Sequence, residues 1–176
     1  ISVWTLPSVN EEGAEKLVQA VEALWDVGIV VVTAAGNYGP RPGSITSPGI
    51  SKKVITVGSC DDQFYMEEGK KKRKSYSGRG PTAECVVKPD LLAPGSYITS
   101  CNARYREKGQ KPYTMKSGTS MSTPVVSGAI ALLLSKYPDM SNVEVKLRLR
   151  ESSIDIGRPQ NEQGWGLLNV EKLLKE

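Results

Sequence analysis

The sequence predicts an α/β fold, with a mostly parallel sheet and helices on both faces. A strand-like run at Ile1 to Leu6 precedes a helix-periodic segment at Glu11 to Val27, and a β-branched run at Ile29 to Ala35 follows it. Strand, helix and strand in this order form a βαβ unit, in which the two strands are parallel. The run after the helix is apolar at successive positions, so its strand is expected to be buried on both faces.

The first helix is predicted from the spacing of its large apolar side chains. Four of them recur at i, i+4, i+7 and i+8, which is the spacing of one helix face. They are Leu17, Val21, Leu24 and Trp25. Gly28 follows directly as the expected C-cap.

Further strand and turn signals lie in the middle of the chain. Val54 to Gly58 is typical of another buried strand, and Ser96 to Cys101 and Tyr113 to Ser117 are shorter extended segments. Lys88 to Gly95 carries prolines near both ends and is predicted to be a turn. Gln163 to Gly166 is predicted to be a tight turn for its two glycines.

The central helix is predicted from about Met121 to Lys136, after Gly118 breaks the preceding strand. It is apolar nearly all round, which indicates a buried helix. Pro124 is assigned to its first turn, where a missing N–H is tolerated.

Two more helices are predicted from their N-terminal caps. Ser141 and Glu144 have the spacing of a capping box, which opens a helix that ends near Glu151. Asn169 is expected to cap a short final helix from Val170 to Lys175.

Composition excludes several classes of protein. The 176 residues suit one domain, and 39% hydrophobic with 24% charged residues excludes wholesale disorder. A net charge of +4 is too small to indicate a nucleic-acid or membrane partner. The longest apolar stretch, Val125 to Leu134, is too short to span a bilayer. The basic run Lys70 to Lys74 is either a nucleic-acid or nuclear-localisation patch or a solvated loop, and its lack of interleaved aromatic residues favours the loop.

The chain contains no histidine. It therefore cannot supply a Ser-His-Asp or Cys-His site alone, and acid–base chemistry requires a carboxylate, a lysine or another polypeptide. The cysteines, Cys60, Cys85 and Cys101, are odd in number and widely spaced. They are interpreted as reduced, packed thiols without a zinc site, with one disulfide and a spare thiol as the alternative. This interpretation slightly favours an intracellular over a secreted protein and leaves the compartment undecided.

Ser120 is placed where a strand gives way to a helix, in the motif Gly118 to Pro124. A serine there can attack a carbonyl while the N–H groups of the helix terminus stabilise the oxyanion. The alternative is that Ser120 only caps the helix, and for an isolated Gly-Thr-Ser that alternative is stronger.

Asn37 follows the buried strand that ends at Ala35. Open α/β sheets bind ligands beyond the carboxyl ends of their strands, so the amide of Asn37 could donate to an oxyanion. The alternative is an asparagine that serves a turn through its tolerance of left-handed backbone.

Six motifs in one order change this balance. They are Val32-Thr-Ala-Ala-Gly-Asn37, Thr46-Ser-Pro-Gly49, Val54-Ile-Thr-Val-Gly58, Ser75-Tyr-Ser-Gly-Arg-Gly-Pro81, Lys88-Pro-Asp-Leu-Leu-Ala-Pro-Gly95 and Ser117-Gly-Thr-Ser-Met-Ser-Thr-Pro124. Together they resemble the C-terminal part of the catalytic domain of subtilisin-like serine peptidases. The resemblance covers residues 1–176 as one portion of a single domain.

This resemblance implies the chemistry of the site. Ser120 would be the nucleophile, and Asn37 and the Ser120 backbone N–H would be the oxyanion donors. Ala34, Ala35, Gly36 and Thr119 would bind the substrate. The triad Asp and His would lie upstream in a longer polypeptide, so the chain alone is expected to be inactive, marginally stable and prone to oligomerise or swap strands.

The resemblance implies a protein or peptide substrate and no cofactor, and it allows a structural calcium in the full-length protein. Asp90 lies where some relatives bind a cation, and it is interpreted here as a structural turn residue. Val125 stands where relatives often carry a second, non-catalytic histidine.

Two departures from the family pattern leave rival functions open. Trp4 and Pro7 occupy the strand that would pair with substrate, and they motivate a pseudopeptidase that acts as a binding or regulatory module. A sedolisin-type acid peptidase is a further alternative, against which Asn37 argues because that group uses an acidic residue there.

Overall fold

The computed structural model describes residue 1 and residues 11–62 and 75–175. The helices are α1 (Glu11–Asp26), α2 (Thr119–Lys136), α3 (Asn142–Ser152), α4 (Gln160–Gln163) and α5 (Val170–Leu174). The strands are β1 (Val32–Ala34), β2 (Ile55–Ser59), β3 (Leu91–Ala93), β4 (Ile98–Cys101) and β5 (Tyr113–Lys116).

A parallel sheet of order β1-β2-β3 lies at the centre of the described residues. Val32 pairs with Ile55, and Val57 pairs with Leu91. Every residue of the three strands is buried, so both faces of the sheet are covered. This arrangement confirms the predicted α/β class.

Ile1 lies along the outer edge of β1. Its ammonium donates to the Val32 carbonyl at 2.5 Å, and the Ala34 N–H donates to the Ile1 carbonyl at 3.3 Å. The remainder of the predicted first strand lies outside the described residues.

Helix α2 packs across all three strands of this sheet. Its buried residues include Val126, Ile130 and Leu133, which join one apolar core with β2 and β3. Helices α3 and α5 close the core from the other end, with Leu149 and Leu173 fully buried. The packing fixes the N-terminus of α2 against the carboxyl end of the sheet.

Local capping rules hold where the sequence predicted them. The N–H of Gly28 (φ +90°) donates to the Trp25 carbonyl at 3.0 Å and ends α1. Ser141 and Glu144 form the capping box of α3, and Asn169 caps α5 through the Lys172 N–H.

Two sequence predictions were wrong in detail, and one element was missed. Leu91–Ala93 is a buried parallel strand rather than part of a turn, because Pro89 and Pro94 lie just outside the ladder and remove no bond from it. Helix α2 begins at Thr119 and not near Met121, so Pro124 is an interior residue instead of a first-turn residue. The short helix α4 was not predicted.

Other predictions can be checked on the described residues. Cys60, Cys85 and Cys101 are free thiols, as predicted. Only Cys60 is partly buried, and Cys85 and Cys101 are exposed, so the prediction that the thiols are packed was wrong for these two. Among the described residues, no helix has the length and apolarity needed to cross a bilayer. The basic run Lys70 to Lys74, and Trp4 and Pro7, lie outside the described residues.

Candidate active site

The two predicted site residues meet where β1 and α2 approach each other. Asn37 lies three residues beyond the end of β1, and Ser120 is the second residue of α2. Thr119 joins the two segments, because its backbone N–H donates to Asn37 Oδ1 at 2.9 Å and its hydroxyl donates to the same atom at 3.1 Å. The contact is made by residues 82 positions apart in the chain.

These bonds determine which way the Asn37 amide points. A backbone N–H can only donate, so the amide oxygen must face Thr119 and the nitrogen must face away. The Thr119 hydroxyl accepts from the Gly36 N–H at 3.1 Å, which leaves its own proton for Asn37. Within the described part of the chain, Asn37 Nδ2 donates to no protein group. Asn37 therefore presents one oriented donor at an exposed position.

Gly118 is required immediately before α2. Its φ of +145° lies where side chains are rarely tolerated, and an added Cβ would lie 3.2 Å from Asn37 Nδ2. Its N–H donates to the Gly95 carbonyl at 2.9 Å. Glycine thus turns the chain into the helix and leaves space in front of the amide nitrogen.

Two short hydroxyl side chains make hydrogen bonds in the first turns of α2, and one of them reaches the sheet. Ser122 Oγ donates to the Ala93 carbonyl at 3.0 Å, and Thr123 Oγ1 donates to the Thr119 carbonyl at 2.9 Å. Pro124 has no N–H, so it cannot close the helical bond to the Ser120 carbonyl. Ser120 itself is half-buried at this terminus, where backbone N–H groups and the helix dipole favour negative charge.

Asp61 stabilises the turn that precedes Ser96 next to this site, and the sequence analysis did not identify it. Its Oδ1 accepts from Ser59 Oγ at 2.7 Å and from the N–H groups of Gly95 and Ser96 at 2.9 and 3.0 Å. Burial works against ionisation of Asp61, but these hydrogen bonds outweigh it and lower the pKa of the carboxyl. The carboxylate fixes the Gly95 turn that contacts Gly118. In the sequence, the only indication of this role was that Asp61 closely follows a buried strand.

The four predicted substrate-binding residues are all buried. Ala34, Ala35 and Gly36 run into Asn37 at the end of β1, and Thr119 has no exposed surface. A Cβ on Gly36 would lie 2.5 Å from Thr46 Oγ1, so the strand end packs tightly on the next loop. Their role towards substrate stays a prediction.

Asp90 lies apart from this site, within the core. Its Oδ2 accepts from Lys88 Nζ at 2.6 Å and from the Thr56 N–H at 2.7 Å, and Lys146 Nζ lies 3.9 Å from Oδ1. A carboxylate with these partners supports its interpretation as a structural residue. Among the described residues, no cluster of three or more metal-ligand side chains occurs.

The comparison with protein families agrees with this geometry. The sequence profile of the Subtilase family matches residues 4–166. The chain belongs to the subtilase family. The match includes both Asn37 and Ser120.

Characterised subtilases show the same relationship. The serine protease AprX of Bacillus subtilis is 42% identical over 172 residues, which are 92% of this chain and 39% of that protein. Subtilisin DY of Bacillus licheniformis is 37% identical over 161 residues, 90% of this chain and 52% of the relative. The chain therefore spans about half, or less, of the length of the relatives that it matches.

Solved subtilase-like structures confirm the fold. A structure described as the S41 psychrophilic protease aligns with a TM-score of 0.75 and 25% identity over 97% of this chain and 56% of its own. The prenylagaramide maturation protease PagA aligns with a TM-score of 0.64 and 27% identity, over 89% and 53% of the two chains. The subtilisin-like α/β fold predicted from the motifs is thus confirmed.

Proposed function

We propose that this subtilase chain supplies the nucleophile and the oxyanion donors of a serine endopeptidase. The observation that carries the proposal is the Asn37 amide beside the terminus of α2. Its oxygen is fixed by Thr119, and its nitrogen donates to none of the residues that the structure describes. A donor oriented before substrate binds needs no reorganisation when negative charge develops.

The proposed reaction is acyl transfer. Ser120 Oγ attacks the carbonyl carbon of a peptide bond while its proton passes to a histidine, and the carbonyl oxygen becomes an oxyanion held by Asn37 Nδ2 and the Ser120 N–H. Collapse of this intermediate expels the amine, which takes the proton from the histidine. Water then hydrolyses the acyl-enzyme by the same steps and regenerates Ser120.

The histidine must come from outside this chain, which has none. We infer that polypeptide upstream of the chain supplies it with the triad Asp, and that the chain alone is inactive. An open groove of about 520 Å³ between β1 and α2, lined by Val32, Ile130 and Leu134, supports this inference. Val27 and Leu132 are 74% and 54% exposed on the neighbouring surface. Without its upstream partner, such a surface favours oligomerisation.

We assign Thr119 as a positioning residue. Its side chain is fully buried and bonds to Asn37 and Gly36, so it acts on the oxyanion through Asn37. Substrate contact at this end of the sheet is assigned to the segment from Ala34 to Gly36, as family resemblance implies.

Fluorophosphonate labelling of the full gene product tests the proposal. The probe reacts with an activated serine whatever the substrate preference, so we expect labelling of the native protein and none of Ser120→Ala. Ser135→Ala is the matched control, because Ser135 lies near the other end of the same helix, is exposed and bonds to the Leu132 carbonyl. A folded, unlabelled native protein would contradict the proposal and favour the pseudopeptidase suggested by Trp4 and Pro7.

A further inference from the structure

The hairpin of β4 and β5, residues 97–117, carries the positive charge of the whole chain. It holds five cationic side chains and one acidic side chain, a net charge of +4. The remainder of the chain has 18 cationic and 18 acidic residues and is neutral. The excess charge is therefore concentrated on one structural unit.

Most of these cations have no acidic partner. Arg104, Lys108, Lys111 and Lys116 are exposed, and none makes an ion pair with any residue that the structure describes. Arg106 instead lies over the Tyr105 ring, 5.6 Å from its centroid. Elsewhere on the surface, four lysines are paired with carboxylates. These are Lys16, Lys52, Lys53 and Lys175.

One face of the hairpin is apolar and exposed. Cys101 pairs with Tyr113, and Thr99 pairs with Met115, so these side chains lie on the same face. Tyr113 and Met115 are 64% and 59% exposed. At the tip, Tyr105 and Tyr113 help to line a cavity of about 480 Å³. Lys116 alternates with Met115 along β5 and lies on the opposite face. Exposed aromatic and thioether surface on a hairpin that carries unpaired cations is typical of a binding surface.

The hairpin also offers strand edges. Within the described residues, no third strand pairs with β4 or β5. An exposed strand edge can bind an extended polypeptide through its backbone, and a polynucleotide has no equivalent groups. The second strand continues through Ser117 to the proposed nucleophile, so a bound segment would lie close to Ser120.

We propose that the β4–β5 hairpin is a docking surface for an acidic, extended polypeptide segment. Carboxylates of the segment pair with Arg104, Lys108, Lys111 and Lys116, while its backbone adds to a strand edge. The inference goes beyond the proposed peptidase activity, because binding requires no reaction at Ser120. In a peptidase, such a surface selects substrates that carry acidic sequence next to the segment held at Ser120.

Fluorescence anisotropy tests the proposal with the full gene product carrying Ser120→Ala, which prevents cleavage of the probe. The probe is a labelled peptide of about twelve alternating Glu and Thr residues, ~40 Å long when extended. We expect it to bind, with Gln–Thr and Lys–Thr peptides of equal length binding at least about tenfold more weakly. Affinity should fall between roughly 50 mM and roughly 500 mM salt, because exposed charges are screened.

Two quadruple variants remove the same charge, one from the hairpin and the other from positions outside it. Replacing Arg104, Lys108, Lys111 and Lys116 by Gln should weaken binding by about tenfold or more. Replacing four other exposed cations by Gln should change it less than about twofold. These control positions are Lys16, Arg41, Arg150 and Lys172.

Three outcomes would overturn the proposal. One is no binding of the acidic peptide by a protein whose circular dichroism shows a folded state. Another is an equal loss in both quadruple variants, which would mean only general attraction. The last is tighter binding of a single-stranded oligonucleotide that depends on the same four cations. Labelling of native protein by the fluorophosphonate is unaffected by these outcomes, so failure here is distinguishable from failure of the proposed peptidase.

Discussion

Two regions of this subtilase use the hydrogen-bonding capacity of their polar groups in different ways. At the Asn37–Thr119 corner, the amide oxygen receives two hydrogen bonds and the amide nitrogen none from the described residues. At the Lys88–Asp90 pair, the ammonium donates to the carboxylate and to the Val54 carbonyl at 3.0 Å, and the carboxylate also accepts from Thr56. The Asn37 amide nitrogen has no partner among the described residues, whereas the polar atoms of Lys88 and Asp90 bond to neighbouring groups of the core.

The difference separates a site from a structural support. Buried charges are tolerated only when they are paired, which explains the arrangement around Lys88, whose exposure is 1%. A site for a transient oxyanion needs the opposite, a donor held in place but not yet satisfied. Unused hydrogen-bonding capacity, more than burial, therefore distinguishes the proposed oxyanion site from the structural ion pair.

Lys88→Met should show the largest effect. Asp90 would keep only the Thr56 N–H and the more distant Lys146, so we expect a loss of about 3–5 kcal/mol of unfolding free energy. Chemical denaturation of the full gene product measures it. Lys52→Met, which removes an exposed pair with Glu84, is the control and should cause no measurable change. An unchanged stability in Lys88→Met would remove the distinction between the two regions.

Asn37→Ala should lower turnover by about 10²–10³-fold without unfolding the protein, because Asn37 is exposed. The magnitude is the loss of turnover known for subtilisin when such a donor is removed. Asn37→Asp refines the test, since a carboxylate keeps the bonds from Thr119 but has no N–H. Single-turnover acylation measures both variants. Near-normal turnover of Asn37→Asp would show that the amide nitrogen is not the donor.

The stability of the protein should depend on pH through the buried Lys146 ammonium beside Asp90. Burial lowers the pKa of Lys146 to about 8, against an ordinary value of 10.5, although the Asp90 charge partly opposes the shift. Between these values the unfolded state binds the extra proton, so unfolding free energy should rise with pH by up to ~1.4 kcal/mol per unit. Denaturation of native protein and Lys146→Met from pH 7 to 10 measures the difference. Parallel profiles for the two proteins would contradict this assignment.

Thr119→Val should have the smallest effect. It removes the hydroxyl bond to Asn37 and keeps the backbone N–H, so the amide is held less firmly and turnover should fall about 2–10-fold. KM should stay unchanged, because the Thr119 hydroxyl bonds to Gly36 and Asn37 rather than to substrate. Thr119→Ser should restore the native rate. A rise in KM with constant turnover would indicate direct substrate binding, as the family resemblance first implied.

Local signals predicted much of the fold. The capping box of α3, the cap of α5 and the C-cap of α1 at Gly28 are short-range features whose chemistry is written in neighbouring residues. Strand β3 was missed because its three residues, in a segment of four between two prolines, carry too little pattern. The start of α2 was placed too late because Gly118 supplies no side-chain cap to mark it.

The candidate site was predicted less completely. Asn37 and Ser120 were identified through ordered motifs, and each alone favoured a structural role. Thr119 and Asp61 act through contacts across 82 and 34 positions of the chain, which no local pattern encodes. Lys88 is buried although lysine is generally exposed, so its burial is explained only by its partners in the folded chain.

The Thr119 hydroxyl connects sheet and helix, since it accepts from Gly36 and donates to Asn37. A sideways shift of α2 by about 1 Å would stretch these bonds beyond hydrogen-bonding distance. The position of the proposed oxyanion donor, the Asn37 amide, therefore depends on how closely α2 packs on the sheet. Heat or a cavity in the distant apolar core would then reduce activity before the protein unfolds.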